Sequence, residues 1–160
     1  MAQSGVELKN RKRHDYPFFL SFRTRWSDND QYSHINNSVY YHLFDSIVNA
    51  YLITNCGLEP SKSHLIGLVV SSYCQFFSPL SFPAVLDLGL RVNQLGKSSV
   101  AYEVGVFAEG SDIPSAVGGY THVFVDSESR KSSSMDETIR SGLSRLLMGA
   151  EPLNGSKHKL

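Results

Sequence analysis

Acidic, imidazole and amide side chains are concentrated in the stretch from Trp26 to Tyr40. Asp28 and Asp30 lie two residues apart within it, and His34 follows shortly after them. A carboxylate can act as a general base on water or attack an electrophilic carbon itself, and the spacing does not separate these roles. If a helix begins directly after the polar residues, its unpaired backbone amides and positive dipole end suit a developing oxyanion. The residue types therefore indicate acyl transfer.

Each of these polar residues also has a plain structural role. Asp30 can cap a turn. Asp28 can pair with Arg23 or Arg25 or cap the turn, and we expect one of these structural roles for it. His34 can polarise a carbonyl, orient water or hydrogen-bond the loop backbone. Asn36 and Asn37 can cap the helix and hold the loop, or contact a substrate through an amide. We take Asp30 and His34 as the catalytic candidates, and both asparagines as substrate-binding candidates.

The elements that must position these residues follow from the apolar periodicity. Alternation over 18–26 predicts a strand. Over 39–56, apolar residues recur at three- and four-residue steps, which predicts a helix. A residue of 36–38 can cap its start, and Gly57 can end it in the left-handed conformation. The polar stretch thus connects a strand to a helix N-terminus.

The remainder of the chain is predicted to be mostly strand. Strands are expected over 66–77, 85–95, 98–109 and 115–126, and a terminal helix over 136–148. Short turns between them imply antiparallel neighbours. We predict an α+β fold, in which a curved antiparallel sheet of about five strands wraps a long central helix, with a C-terminal helix. Its exposed edge strand is expected to pair with a second copy, giving a homodimer or homotetramer.

Composition limits the possible functions. The chain has 160 residues, of which 41% are hydrophobic, and 15 basic side chains balance 15 acidic ones. This predicts one domain over 16–148, with flexible segments at 1–15 and 149–160, and disfavours nucleic-acid binding. We expect no membrane span, and the His and Cys spacings match no metal site. An intracellular location is expected, most simply cytoplasmic, with a peroxisome or mitochondrion as alternatives because the last three residues loosely resemble a peroxisomal address.

Several motifs together resemble a known family. The Asp28-Asn29-Asp30 step precedes His34-Ile35-Asn36-Asn37, and the matching segments further on are 76–80, 95–100 and 121–126. In this order the sequence resembles the hotdog-fold acyl-CoA thioesterases of the 4-hydroxybenzoyl-CoA thioesterase type, over about 18–126. The dehydratases of the same fold share a Phe-Pro-Gly stretch that this chain lacks.

The resemblance implies a site and a substrate class. It implies that Asp30 is the catalytic carboxylate, that a backbone amide in the Val39–Tyr41 region polarises the thioester carbonyl, and that no cofactor is used. Active sites are then expected at a dimer interface. Hydrolysis of acyl-CoA to a free acid and coenzyme A is the predicted function, as in fatty acid metabolism, and a non-catalytic acyl-CoA or lipid binding module is the alternative.

Two further groups of residues are candidates for contacts with such a substrate. Lys97, Ser98 and Ser99 follow a glycine turn and can meet the pantetheine or phosphate part of coenzyme A, although a hairpin turn with a solvated lysine explains them equally well. Val39 and Tyr40 open the predicted helix. An aromatic side chain such as that of Tyr40 can line an acyl tunnel, but on a helix it more often belongs to the core.

Overall fold

The structure, a computed structural model, describes residues 7–149. In chain order the elements are β1 (Phe18–Arg23), α1 (Asn37–Asn55), β2 (Leu65–Phe76), β3 (Val85–Leu95), β4 (Ser99–Ala108), β5 (Ala116–Asp126) and α2 (Glu137–Ser144). The strands form one antiparallel sheet in the order β1-β3-β4-β5-β2. The predicted α+β arrangement is confirmed.

The long helix α1 is buried against one face of the sheet, which we call the inner face. Its core positions include Phe44 and Ile47, which pack with alternate residues of β3 such as Leu88 and Leu90. Gly57, at a φ of 68°, follows the helix as expected. The helix begins two residues earlier than the apolar pattern indicated, because polar residues fill its solvent-exposed first turn.

The opposite, outer face of the sheet is covered by the N-terminal segment. Glu103 of β4 is fully buried there and accepts hydrogen bonds from Arg11 at 2.7 and 3.0 Å, from Tyr16 at 2.8 Å and from Asn93 at 2.8 Å. A Cβ at Gly105 would lie only 2.8 Å from the ring of Tyr16, so this position needs glycine for the ring to pack against the sheet. The expectation of a flexible segment over 1–15 therefore differs from what residues 7–15 show.

Strand β2 forms one edge of the sheet and has an unusually apolar exposed surface. The exposed hydrophobic side chains on or just after it are Leu68, Val69, Val70, Tyr73, Phe76 and Phe77. Exposed apolar residues in such a contiguous row typically mark an interface. Within residues 7–149, no helix is long and apolar enough to cross a membrane.

Candidate active site

The polar stretch forms a tight loop between β1 and α1. The strand ends at Arg23, three residues earlier than predicted, because Trp26–Asp28 turn into a short 3-10 helix. Asp28 is buried, and its carboxylate accepts hydrogen bonds from the backbone amide of Arg25 at 2.7 Å and from the Arg25 guanidinium at 2.9 Å. The expected structural pairing of Asp28 with a neighbouring arginine is what the structure shows.

Asp30 lies at the far end of this loop and is half-buried. Its Oδ1 accepts a hydrogen bond from the amide of Tyr32 at 2.8 Å, and its own amide donates to the carbonyl of His34 at 2.8 Å. Within the described residues, no donor forms a hydrogen bond with Oδ2. One carboxylate oxygen is thus fixed by the loop, while the other is free to contact water or a substrate.

The start of α1 leaves one backbone amide open. Asn36 is the N-cap, since its Oδ1 accepts from the amide of Ser38 at 2.9 Å, while its carbonyl accepts from the amide of Val39 at 2.9 Å. No acceptor in residues 7–149 forms a hydrogen bond with the amide of Asn37. The Val39–Tyr41 amides lie within the helix, so the donor available to an oxyanion is that of Asn37, two residues before the expected region.

The loop and the helix start are held together by the backbone. The amide of Asn36 donates to the carbonyl of Asp28 at 2.9 Å, and that of Ile35 donates to the carbonyl of Leu80 at 2.8 Å. These bonds bring Asp30, Asn36 and the open helix end into one local unit. His34 belongs to the same loop, and its side chain is exposed.

Tyr40 and Val39 are placed differently within the first helical turn. Tyr40 is buried, with its ring edge-on to Phe76 of β2 at 4.9 Å between centroids, whereas Val39 is half-buried. Burial raises the pKa of Tyr40 to about 12, so its hydroxyl stays protonated at neutral pH. Tyr40 is therefore a core residue whose partner, Phe76, is exposed at the edge of the sheet.

Lys97, Ser98 and Ser99 are not brought to Asp30 within one chain. The loop lies beside the start of β3, where the amide of Thr24 donates to the carbonyl of Ala84 at 2.9 Å. The turn lies beyond the other end of β3, roughly 35 Å along the strand at about 3.3 Å per residue. Sequence order alone gave no indication of this separation.

A cleft of about 460 Å³ lies along the exposed side of the first helical turns, and most of its lining residues were not predicted from the sequence. Val39 and Leu43 form part of its wall, with Arg25, His42 and Asp45 at its polar edges. The spacing of Val39, His42 and Leu43 on one helix face was the available signal. The buried hydroxyl of Tyr120 lies close to Asp45, but it forms no well-aligned hydrogen bond within the described residues.

His122 lies on β5 beneath the helix and is buried without a partner for Nδ1 within the described residues. Burial lowers its pKa to about 4, so the imidazole is neutral near pH 7. Residues 7–149 contain no cluster of three or more His, Cys, Asp or Glu side chains placed to hold a metal ion.

Comparison with known proteins identifies the family. A family model described as the thioesterase superfamily matches residues 32–115, which include the helix start and most of the sheet. This chain belongs to the thioesterase superfamily. Thioester hydrolysis is accordingly its general reaction class. No curated protein matches the chain.

Solved structures agree with this assignment. The PA5185 protein from Pseudomonas aeruginosa is 43% identical, with a TM-score of 0.86 over 88% of this chain and 99% of that one. A 1,4-dihydroxy-2-naphthoyl-CoA thioesterase from Synechocystis is 14% identical, with a TM-score of 0.71 over 79% and 95% of the two chains. A gentisyl-coenzyme A thioesterase, BH1999, is 21% identical, with a TM-score of 0.69 over 79% and 99%. The last two show the fold alone, and the predicted hotdog fold is confirmed.

Proposed function

We propose that this thioesterase-superfamily protein hydrolyses acyl-CoA thioesters, with Asp30 as the catalytic carboxylate. The observation that carries the proposal is the pairing of a carboxylate oxygen free of hydrogen bonds with an open helix end in one loop. The free oxygen of Asp30 can accept a proton, and the amide of Asn37 can donate to the carbonyl oxygen of the substrate. Two similar solved structures are named as thioesterases of aromatic acyl-CoA compounds.

In the proposed reaction, Asp30 acts as a general base. It takes a proton from water while the water oxygen bonds to the thioester carbon, and the negative charge that develops on the carbonyl oxygen rests against the Asn37 amide. The C–S bond then breaks, and the thiolate of coenzyme A leaves with the proton. One such oxyanion donor contributes about 3 kcal/mol to lowering the barrier, and a positioned base contributes about 10²–10⁴-fold in rate.

The alternative role of Asp30 is direct attack, which forms a mixed anhydride. A single turnover with excess enzyme in ¹⁸O-labelled water separates the two routes. The base route places ¹⁸O in the released acid in the first turnover. The anhydride route, if water attacks the enzyme carbonyl, leaves the first acid unlabelled and places ¹⁸O in Asp30.

The site is proposed to be completed by a second copy that pairs along β2. Two antiparallel β2 strands related by a two-fold axis place the Leu65 end of one beside the Phe76 end of the other. Phe76 contacts Tyr40 at the helix start, while the Leu65 end lies near Ser98, whose carbonyl accepts from the amide of Phe124 at 2.7 Å. Lys97, Ser98 and Ser99 of one copy thus approach Asp30 of the other, where they can bind the phosphates of coenzyme A.

Thiol release from a panel of thioesters tests the proposal. The panel holds the acyl group constant and varies the thiol between coenzyme A and the small thiol N-acetylcysteamine, and a second series varies the acyl group. We expect turnover that is fastest with the coenzyme A esters. Asp30→Asn should lower kcat by about 10²–10⁴-fold while ligand affinity, measured with a non-hydrolysable analogue, is retained.

Two results would contradict this proposal. Binding of acyl-CoA without any release of thiol by the unaltered protein indicates a binding module instead. Turnover that survives in Asp30→Asn assigns the chemistry to another residue. Circular dichroism on both proteins confirms that the fold is the same.

A further inference from the structure

We propose that the ion pair between the buried Asp28 and the exposed Arg25 is a positioning device that sets the placement of Asp30 against the start of α1. The inference rests on the proposed function, because it concerns the geometry of the same carboxylate. In this role neither side chain contacts the substrate. Asp28 acts by joining the end of β1 to the start of α1, the two ends of the loop that carries Asp30.

Asp28 is bound on both sides. Only 1% of its surface is exposed, and its carboxylate accepts from the Arg25 amide at 2.7 Å, from Arg25 Nη2 at 2.9 Å and from Arg25 Nε at 3.2 Å. Its backbone carbonyl accepts from the amide of Asn36, the N-cap of α1, at 2.9 Å. One residue therefore connects the exit of β1 to the first residue of the helix cap.

Asp30 has no comparable anchor of its own. Its carboxylate is held only by the amide of Tyr32, and its backbone by His34 and Ser33, all within the same short loop. Before Asp30, Asn29 Oδ1 accepts from the amide of Phe82 at 3.0 Å, and after it the carbonyl of Ser33 accepts from the Ser81 hydroxyl at 2.7 Å. Asp28 and Asn29, which precede Asp30, therefore hold the β1 side of the loop, and Ser33 and Ile35 hold its helix side.

The charge of Asp28 matters as well as its shape. A buried carboxylate needs a paired cation, because an unpaired buried charge is strongly unfavourable. Replacement by asparagine keeps the size but turns one acceptor into an NH₂ group that faces the donors of Arg25. The change weakens the link between Asp28 and Arg25 on the β1 side of the loop, and a displacement of about 1 Å at a reacting group can cost roughly 10²-fold in rate.

The test compares Asp28→Asn with a matched control on the outer face. Arg13 Nη2 and Asp87 Oδ2 also lie 2.9 Å apart, the same separation as Arg25 Nη2 and Asp28 Oδ1, but on the outer face of the sheet. We measure kcat, KM and Tm on the full chain for Asp28→Asn and Asp87→Asn. We expect kcat to fall roughly tenfold to hundredfold in Asp28→Asn, because Asp30 is displaced. In Asp87→Asn we expect kcat to stay unchanged. KM should remain within about twofold of the original protein in both variants.

A second pair of variants keeps the test decisive if Asp28→Asn folds poorly. The Arg25 side chain is 65% exposed, so its replacement removes little apolar packing, and the Tm of each variant reports the cost of leaving Asp28 without its cation. Arg25→Ala should lower kcat, and Arg25→Lys, which restores the charge but not the bidentate fork, should recover part of that loss. Equal kcat in Arg25→Ala, Arg25→Lys and the original protein overturns the inference.

Asp30→Asn in the same assay distinguishes a failure of the positioning role of Asp28 from a failure of the proposed function. If Asp30→Asn loses turnover while Asp28→Asn matches Asp87→Asn in kcat, the positioning role is wrong and the proposed function stands. If Asp30→Asn retains turnover, the proposed function fails first, and the positioning role falls with it.

Discussion

The outer face of the sheet is covered by other residues of the same chain, whereas its β2 edge is left exposed. On the outer face, the buried Glu103 has four hydrogen bonds, all supplied by the same chain. At the edge, apolar side chains such as Val70, which is 59% exposed, have no cover within the described residues. One chain therefore completes the outer face, whereas the β2 edge is the surface that we propose for pairing with a second copy.

The difference follows from where the polar partners lie. Arg11 and Tyr16 come from the N-terminal segment, which crosses the outer face before β1 begins. Within residues 7–149, β2 pairs only with β5, so the backbone on its other side has no strand partner. We interpret the buried contacts of the outer face as stabilising the protomer. We propose that the β2 edge is where two copies assemble the active site.

The largest expected effect is on the outer face. Arg11→Met leaves the Glu103 carboxylate buried without its cation, and we expect a loss of about 3–5 kcal/mol in the free energy of unfolding. Lys9→Met is the control, since Lys9 and Glu7 form an exposed pair whose loss costs about 0–1 kcal/mol. Urea unfolding measures both. Equal losses would mean that burial does not distinguish the two pairs.

The edge is expected to respond through assembly. Val70→Lys places a charge in the proposed β2 pairing, and we expect at least a hundredfold weaker dimer, about 2.7 kcal/mol, with the protomer still folded. Ile113→Lys is the matched control, because Ile113 is also 59% exposed but lies outside the strands. Sedimentation measures the dissociation constant. A monomeric original protein, or equal effects of both variants, would contradict the assignment of the edge.

The outer face should also give a defined pH dependence. Burial alone would raise the pKa of Glu103, but hydrogen bonds from Arg11, Asn93 and Tyr16 hold that pKa below its ordinary value. A lowered carboxyl pKa stabilises the fold above the unfolded value of about 4.3, and this stabilisation is lost as pH falls through the folded value. The gap in unfolding free energy between the original protein and Glu103→Gln should therefore be constant near neutral pH and shrink below about pH 4. A gap that widens on acidification would contradict the charged state of Glu103.

The smallest effect concerns the helix caps. Asn36→Ala and Asp136→Ala each remove an N-cap side chain, from α1 and α2 respectively, and each should cost about 1 kcal/mol. Only Asn36 adjoins the proposed site. We expect kcat to fall in Asn36→Ala and to stay unchanged in Asp136→Ala, measured by thiol release. An equal fall of kcat in both variants would mean that Asn36 contributes to the stability of the fold and has no specific role at the proposed site.

Local patterns in the sequence were sufficient for the elements but not for their long-range contacts. The apolar period of α1 and the alternation of β3 predicted both to within two residues, because burial on one face determines them. The Arg11–Glu103 pair was not foreseen, since it joins residues 92 positions apart and neither has a distinctive neighbour. Asp30 was predicted as the catalytic carboxylate from the resemblance of its loop, and only the structure identifies the carboxylate oxygen that no described donor contacts.

The separation of Lys97 from Asp30 is the clearest limit of the sequence. Both belong to motifs of one family, yet they lie at opposite ends of β3 in one chain. The direction of β3 and the free β2 edge support the proposal that two copies bring them together. Neither property is written in the local pattern of either motif.

Mixed dimers test this central claim most directly. Asp30→Asn is combined in equal amounts with a second variant carrying Lys97→Glu and Ser98→Asp, under conditions that exchange subunits. If each site draws Asp30 from one copy and Lys97 with Ser98 from the other, half of the dimers are mixed and each holds one intact site, so about a quarter of the original turnover returns. Turnover equal to the average of the two separate variants would show that the two regions never share a site.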